Sequence, residues 1–323
     1  MNTHPTLGLD LAQRSFAAAL RFDTHRCAKA QFDNNPAGFR KLRAWLYRHF
    51  AGKLRVAMES TSTYAEAVAE FLVGEGHEVY VLNPERIACY ARSLGQRNKT
   101  DPADAVTIAA FIATHEATPW RPPSPEQKTL RSLTRTRQQL VDLGRTLRLQ
   151  LKTADAAARV HLQAVLHSVQ SQLATLERAI KQHLRAHPTL GEQVRRLMTC
   201  IGVGFTTAAV ALAELPPVTP DSDPRALCAW AGLTPRRWQS GASEWRTRLS
   251  RKGNAHLRHA LYMPALVAKR HNPLLKAFAQ RLAEQGKSTG AILGALSHKM
   301  LRILVGMLRS QTDFDPNWSD EKS

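Results

Sequence analysis

The chain has 323 residues, of which 43% are hydrophobic, so it can form two domains with their own cores and is not a disordered chain. Lys and Arg number 45 against 26 Asp and Glu, which gives a formal net charge of +19. This charge indicates a polyanionic partner, with nucleic acid as the default and an anionic membrane surface as the alternative.

Membrane insertion and disulfide chemistry are not expected. No uninterrupted apolar run reaches spanning length, and residues 1–6 carry no signal-peptide pattern, so we expect a cytoplasmic protein with no membrane partner. The four cysteines (Cys27, Cys89, Cys200 and Cys228) are scattered, without metal-ligand spacing or a disulfide framework, as is typical of a reduced compartment.

The first third of the chain predicts an α/β domain. Apolar segments separated by turn residues predict an antiparallel meander of three strands, followed by alternating helices and strands. The predicted strands are 6–11, 15–22, 28–32, 54–59 and 77–82, and the predicted helices are 36–50 and 62–74. This order predicts a mixed sheet covered by helices on both faces.

Two of these predicted strands contain an acid within an apolar run. Asp10 lies between Leu9 and Leu11, and Glu59 ends the fourth strand. A buried carboxylate costs several kcal/mol unless it is paired, hydrogen-bonded or bound to a metal, and neither acid has a basic neighbour in sequence. Alternatively, either acid faces solvent or caps the following loop.

Two further acids open a predicted helix. If Thr100 is the N-cap, Asp101 and Asp104 lie three positions apart on one helical face. They would repel each other without a cation, which could be a metal ion or basic side chains such as Arg97 and Lys99. The alternative is that both acids only complement the helix dipole.

The four acids together favour one convergent cluster. Asp10, Glu59, Asp101 and Asp104 all lie at the ends of predicted core elements. Such a cluster suits two Mg²⁺ ions about 3.5–4 Å apart that stabilise the attacking and leaving oxygens of a phosphodiester. We therefore expect metal-dependent chemistry on nucleic acid.

The middle of the chain is rich in helix formers. Apolar residues there recur in alternating steps of four and three, as in a coiled-coil seam: Leu162, Leu166, Val169, Leu173, Leu176 and Ile180. The seam could pack against an earlier segment of the same chain, in an ordinary hairpin, or against a second subunit. Basic residues on the first predicted helix suggest a phosphate-facing surface: Arg131, Arg135, Arg145, Arg148 and Lys152.

The last third predicts a mostly helical domain. Gly202-Val203-Gly204 separates two apolar helical segments, and its backbone amides could hold a phosphate, although a plain tight hairpin needs the same glycines. A turn-rich basic segment follows, and there Ser240, Ser243 and Ser250 are hard to separate as nucleophiles on chemistry alone. Helices at about 257–269 and 289–308 complete the domain, followed by a polar tail.

These motifs together resemble the DEDD-type insertion-sequence transposases, a group that includes Piv-type DNA invertases and bridge-RNA-guided recombinases. The resemblance covers nearly the whole chain. It rests on Gly8-Leu9-Asp10, Met58-Glu59-Ser60, Asn98 to Ala105, Gly202-Val203-Gly204, Pro235 with Ser240-Gly241, and Arg251 to Asn254 with Leu257-Arg258. One departure is Ile201, where the family usually has a proline before the first glycine.

The resemblance implies an RNase H/RuvC-like fold whose tetrad Asp10, Glu59, Asp101 and Asp104 binds Mg²⁺ and is catalytic. It also implies that Ser240 attacks DNA to form a phosphoserine intermediate, in a homo-oligomer that is a dimer or tetramer. The partners would be double-stranded donor and target DNA and, in one branch of the family, a structured non-coding bridge RNA.

We accordingly divide the chain into a RuvC-like DEDD domain (1–120), a coiled-coil domain (121–190), a C-terminal serine transposase domain with a helix-hairpin-helix-like element (191–311) and a polar tail (312–323). The expected nucleic-acid-binding residues are Lys99, Arg131, Arg135, Arg145, Arg148, Arg236, Arg237, Arg248, Arg251, Lys252, Asn254 and Arg258. The alternatives are a RuvC-like nuclease or junction resolvase, a protein-only DNA invertase, and a non-catalytic DNA-organising protein.

Overall fold

A computed structural model describes residues 4–59, 64–95, 101–236, 239–240, 243–244, 248–250 and 252–316. The chain divides into two compact units, Met1–Pro122 and Pro123–Ser323. The finer division of the second unit into a coiled-coil domain and a serine transposase domain stays a prediction.

The first unit is built on a five-stranded mixed sheet. Its strands are β1 (Thr6–Leu11), β2 (Ser15–Arg21), β3 (Cys27–Asp33), β4 (Arg55–Glu59) and β5 (Glu78–Leu82), in the spatial order β3-β2-β1-β4-β5. β1 to β3 form an antiparallel meander, and β4 is parallel to both β1 and β5. The predicted meander and the predicted mixed sheet are both confirmed.

Helices cover both faces of this sheet: α1 (Pro36–His49), α2 (Tyr64–Gly74), α3 (Pro84–Ser93) and α4 (Asp101–Thr114). Leu7, Leu9 and Phe16 share a core with α1 and α2, whereas Ala57 shares a core with Ile108 of α4 on the opposite face. We did not predict α3, although its Asn83-Pro84 start repeats the Asn35-Pro36 start of α1.

Glycine allows α4 to approach the sheet closely. A Cβ atom on Gly8 of β1 would overlap the carbonyl oxygen of Ala105 and the amide nitrogen of Ala109. The small side chains of Ala17, Ala19 and Ala105 continue this contact on β2. Helix α4 is therefore held on the sheet by main-chain proximity, which fixes the position of its first turn.

The second unit is mostly helical. Its helices are α5 (Pro125–Gln150), α6 (Ala156–Ala186), α7 (Pro188–Met198), α8 (Phe205–Glu214), α9 (Pro224–Trp230), α10 (Ala255–His271), α11 (Pro273–Glu284) and α12 (Thr289–Ser310). We predicted the α7-turn-α8 arrangement, α10 and α12, but not α9 or α11.

Helix α12 forms much of the core of this unit. By length and composition it could cross a membrane, with Lys299 and Arg302 interrupting its apolar sequence. However, 67% of its most apolar window is buried inside the protein. Its apolarity is therefore explained by packing against the other helices of the unit.

Helices α5 and α6 pack against each other within one chain. The seam residues of α6 are buried or half-buried, and Val169 lies near Gly144 of α5. The intrachain hairpin thus accounts for the apolar repeat. A supercoiled interface with a second subunit stays a prediction.

The basic segment after α9 forms a ribbon rather than an open loop. β6 (Pro235–Arg236) pairs with β9 (Arg248–Leu249), and β7 (Gln239–Ser240) pairs with β8 (Ser243–Glu244), both antiparallel. We call the described strand pairs, residues 235–236, 239–240, 243–244 and 248–249, the serine ribbon. Ser240, the last residue of β7, pairs with Ser243, the first residue of β8.

Candidate active site

Asp10 and Glu59 lie side by side at the carboxyl end of the sheet. Leu9 of β1 pairs with Met58 of β4 in a parallel register, so the two acids that follow stand at the same level on neighbouring strands. Both acids are half-buried. Two strand-end carboxylates at one edge are a common arrangement for oxygen-ligated metals.

The first turn of α4 lies toward the same edge. The Thr6 hydroxyl donates to the carbonyl oxygen of Ala109 at 3.0 Å, and Gly8 lies under Ala105 and Ala109. Strand β1 therefore runs toward the N-terminus of α4, where Asp101 and Asp104 lie.

The side-chain directions agree with this placement. Residues two apart on a strand share a face, so Asp10 lies on the α4 face with Gly8, and Glu59 lies there with Ala57. Asp104 is half-buried and Asp101 is exposed. We call Asp10, Glu59, Asp101 and Asp104 the acidic edge, because they occupy one face and one end of the sheet.

The acidic edge has suitable donor chemistry for Mg²⁺, because all four groups are carboxylates, the hard oxygen ligands that this ion prefers. Yet within the described residues no three His, Cys, Asp or Glu side chains form a set placed to hold one ion. Asp10, Glu59 and Asp104 each have interacting partners. The tetrad as a metal centre stays a prediction.

The structure describes the serine site only in part. The backbone of Ser240, Arg236 and Arg248 belongs to the serine ribbon, and their side chains are not described. Arg237, Arg251 and the predicted phosphate contact Lys99 lie outside the described residues.

The base of the serine ribbon is tightly built. We call residues 230–234 together with residues 250 and 252–254 the neck. The Ser250 amide donates to the carbonyl oxygen of Thr234 at 2.9 Å. Gly253 has a φ of 139°, and a Cβ atom there would overlap the carbonyl oxygen of Trp230. The neck therefore requires glycine at this position.

Only some of the predicted basic residues present free surface charge. The exposed residues are Arg145 and Arg148 of α5 and Lys152, which follows this helix. Arg131 of α5 is half-buried. Arg135 instead makes a two-pronged ion pair with Glu214, with Nε to Oε1 at 2.6 Å and Nη2 to Oε2 at 2.8 Å. The charge of Arg135 is therefore balanced within the protein.

Two other predicted contacts have structural partners in the neck. Asn254 caps α10 by accepting from the Leu257 amide at 2.9 Å and also donates to Glu214 at 2.7 Å. Arg258 donates to the carbonyl oxygen of Ala231 at 2.9 Å. Lys252 is exposed. These contacts show what Asn254 and Arg258 do in the fold, and their role toward nucleic acid stays a prediction.

Glu214 is a buried acid that we did not identify from the sequence. It ends the apolar helix α8 and is 3% exposed. Burial raises the pKa of its carboxyl, but hydrogen bonds from Arg135 and Asn254 outweigh burial and leave the pKa below its usual range. The sequence signal was an acid in an apolar helix, and it is comparable to the acid in an apolar strand that singled out Asp10.

The Gly202-Val203-Gly204 turn packs into the second unit. Gly202 has a φ of 101°, and a Cβ atom there would crowd the carbonyl oxygen of Pro264. Gly204 precedes α8 without a side-chain cap, and its Cα faces open space. The tight-hairpin role is therefore observed, and phosphate binding by the amides stays a prediction.

Two family models match the chain. The DEDD model for IS110-type transposases, described as "Transposase", matches residues 7–154, and the model described as "Transposase IS116/IS110/IS902 family" matches residues 194–280. The chain belongs to the IS110 family of transposases. The predicted resemblance and the predicted enzyme class are both confirmed.

Known relatives of this IS110-family protein extend over most of its length. It is 28% identical to the "Pilin gene-inverting protein" of Moraxella bovis over 96% of this chain and 97% of the relative. It is 24% identical to the "Probable family 20 transposase" of Pseudomonas aeruginosa over 96% and 98% of the two chains. It is 25% identical to the "Transposase for insertion sequence element IS1111A" of Coxiella burnetii over 75% and 74%.

Proposed function

We propose that this IS110-family transposase cuts and rejoins double-stranded DNA in the cytoplasm through the acidic edge and Ser240. What supports the proposal is backbone placement: β1 and β4 end at the same level with Asp10 and Glu59, and the contact at Gly8 brings α4 onto the sheet with its first turn toward that end. This arrangement is consistent with an RNase H/RuvC-like fold in the first unit.

Asp10, Glu59, Asp101 and Asp104 would hold Mg²⁺, which would neutralise charge on the phosphate at the cut. Without the ion the carboxylates would repel the phosphate, so these acids would position it only through the metal that they hold. All four acids lie on β1, β4 or α4, which are held by backbone pairing or helix packing, so we expect their backbone positions to be set before DNA binds.

Ser240 is proposed as the nucleophile. Its hydroxyl oxygen forms a bond to phosphorus while the bond from phosphorus to one DNA oxygen breaks. The serine loses a proton and the leaving DNA oxygen gains one, so atoms and charge balance. The bond between serine and DNA is itself part of a phosphodiester. A DNA hydroxyl can therefore later displace Ser240 and rejoin the strands without an added energy source.

The decisive experiment is to trap the cleavage reaction and digest the protein. We expect labelled DNA covalently attached to the peptide that contains Ser240, and no attachment in Ser240→Ala. Ser243→Ala is the matched control, because Ser243 pairs with Ser240 in the serine ribbon. Free hydrolytic ends from an active Ser240→Ala variant would instead support a metal-dependent nuclease or junction resolvase.

The role of RNA distinguishes two branches of this proposal. We propose a homo-oligomer, a dimer or tetramer, guided by a bridge RNA that pairs with donor and target DNA. Similarity to a pilin gene-inverting protein over 96% of the chain favours protein-only inversion as the second candidate. A defined RNA that co-purifies with the protein would support guidance, and recombination by RNA-free protein would support inversion without a guide.

A further inference from the structure

The contact between Glu214, Arg135 and Asn254 joins three separate parts of the second unit. Glu214 is the last residue of α8, Arg135 belongs to α5, and Asn254 precedes α10. Both carboxylate oxygens are used: Oε1 accepts from Arg135, and Oε2 accepts from both Arg135 and Asn254. The carboxylate is nearly fully buried, so water does not compete for these bonds.

Asn254 is held from three directions. Its side-chain oxygen caps α10 at the Leu257 amide, its side-chain nitrogen donates to Glu214, and its backbone amide donates to the carbonyl oxygen of Trp230 at 3.3 Å. The cap alone would explain why an asparagine stands there. The cap does not explain why the side-chain nitrogen of Asn254 donates to Glu214, a buried carboxylate that is already paired with Arg135.

Asn254 ends the neck, and the neck carries the serine ribbon. Gly253 lies directly on the carbonyl of Trp230, and Gly232 lies on the carbonyl of Lys252, so the two sides of the neck cannot slide past each other. Leu249, at the base of the ribbon, lies against Gly294 of α12. Beyond this point the described ribbon consists of two-residue strand pairs.

We propose that Glu214 is a positioning residue for DNA cleavage: together with Arg135 it fixes Asn254 and the neck, and so sets the direction in which the serine ribbon presents Ser240. This inference rests on the proposed function, because it assigns the role toward a serine nucleophile. A buried ion pair by itself is weak evidence for stability, whereas it can specify one arrangement among several. In this protein the ion pair would specify how α5 is oriented relative to the serine ribbon.

The first test replaces Asn254 with serine. Asn254→Ser keeps a good N-cap for α10, but the shorter side chain cannot reach Glu214. The readout is the rate of covalent protein–DNA adduct formation on a preformed complex, with a labelled duplex of the DNA that flanks the protein's own gene and with any co-purified RNA retained. With DNA at saturating concentration, so that a change in affinity does not contribute, we expect a rate at least tenfold lower than that of the wild type.

A second variant guards against a simple folding defect. Arg135→Lys keeps a positive charge beside Glu214 and loses the two-pronged contact, and we expect a threefold to tenfold lower adduct rate. The matched control is Arg137→Lys, which weakens the pair between Arg137 and Glu177 (Nη2 to Oε1, 2.7 Å) two positions along the same helix. That pair links α5 to α6 and does not involve the neck, so its adduct rate should match wild type.

A pH profile separates positioning from mere support. In Asn254→Asp the new carboxylate can still cap α10, but it faces Glu214 and cannot donate a hydrogen bond while ionised. As the pH is lowered, one proton can be shared between the new carboxylate and Glu214, and this restores a hydrogen bond between them. The adduct rate of the variant relative to wild type should therefore rise as the pH is lowered. A shared proton also relieves repulsion between the two carboxylates, so the thermal stability of this variant is measured over the same pH range, and positioning predicts a rise in adduct rate larger than the change in folded fraction explains.

The proposal is overturned if Asn254→Ser and Arg135→Lys form the adduct at the wild-type rate. It is also overturned if both variants lose adduct rate and thermal stability in step with Arg137→Lys, which would mean a structural role only. Failure of the proposed function is a different result: the wild-type protein would then cleave without forming an adduct, or Ser240→Ala would still form it.

Discussion

The acidic edge of the first unit and the serine ribbon of the second unit are built in different ways. The acidic edge depends on parallel strand pairing and on a helix pressed against Gly8, both of which are main-chain constraints. The serine ribbon has two-residue strands and is anchored at its neck by Gly253, Leu249 and Asn254. One part is therefore held by regular secondary structure, and the other by a few local contacts at its base.

This difference has a chemical meaning. Carboxylates that share an ion must keep their spacing to within a fraction of an ångström, which regular secondary structure provides. A nucleophile that becomes covalently attached to DNA must first approach the phosphate and later be displaced from it. In the proposed reaction the neck would keep the base of the serine ribbon in place through both steps.

The largest expected effect comes from neutralising the acidic edge. Glu59→Gln should lower strand cleavage by at least about 10³-fold, because the variant loses an anionic oxygen ligand in the proposed metal centre. DNA binding, measured by gel shift, should change little. The matched control is Glu78→Gln at the opposite end of the sheet, where the carboxylate pairs with Lys53 at the surface. Equal activity of Glu59→Gln and wild type would remove Glu59 from the tetrad.

The next effect tests the packing that places the α4 acids. Gly8→Ala would force a Cβ atom into the backbone of Ala105 and Ala109, and we expect about 2–3 kcal/mol lower stability to urea. Cleavage should fall more than stability explains, since Asp104 moves with α4. Gly74→Ala is the control, because nothing lies within 4 Å of its added Cβ. A stability of Gly8→Ala equal to that of Gly74→Ala would contradict the close approach.

How far could these two regions be predicted from the sequence? The meander and the start of α1 followed from local signals such as Asn35-Pro36, where the Asn35 side-chain oxygen does accept from the Gly38 amide at 2.9 Å. The acidic edge could be anticipated because an acid inside an apolar strand is unusual. The serine ribbon could not, since strands of two residues leave no periodic pattern.

Glu214 and Arg135 show a second limit of the sequence. Arg135 was grouped with Arg145 and Arg148 because all three decorate one helix. Its partner lies 79 positions away, and no local pattern reports such a contact. Distant ion pairs depend on tertiary packing, so the division of basic residues into paired and exposed groups required the structure.

The division of basic residues predicts how salt acts on DNA binding. Replacing exposed Arg145 and Arg148 by Gln should lower the magnitude of the slope of log affinity against log salt by about 1–2, because each lost phosphate contact releases fewer counterions. Arg137→Gln should leave the slope unchanged, since that charge is paired with Glu177. The slopes can be measured by fluorescence anisotropy. An unchanged slope in the double variant would mean that this face of α5 does not contact phosphate.

The smallest expected effect concerns the stability that Glu214 contributes. The pKa of its carboxyl is lowered in the folded state, so its contribution is fully present above the unfolded pKa of about 4.3 and is lost as the pH falls toward the lower folded pKa. At pH 7, Glu214→Gln should reduce the free energy of unfolding by about 2 kcal/mol, because hydrogen bonds to a charged group are lost. The difference from wild type should shrink in urea titrations below about pH 4.

Glu177→Gln, at an exposed pair, should show a smaller difference at pH 7. A Glu214→Gln deficit that stays constant down to pH 3 would mean that packing of the side chain, rather than its charge, holds α8 to α5 and the neck.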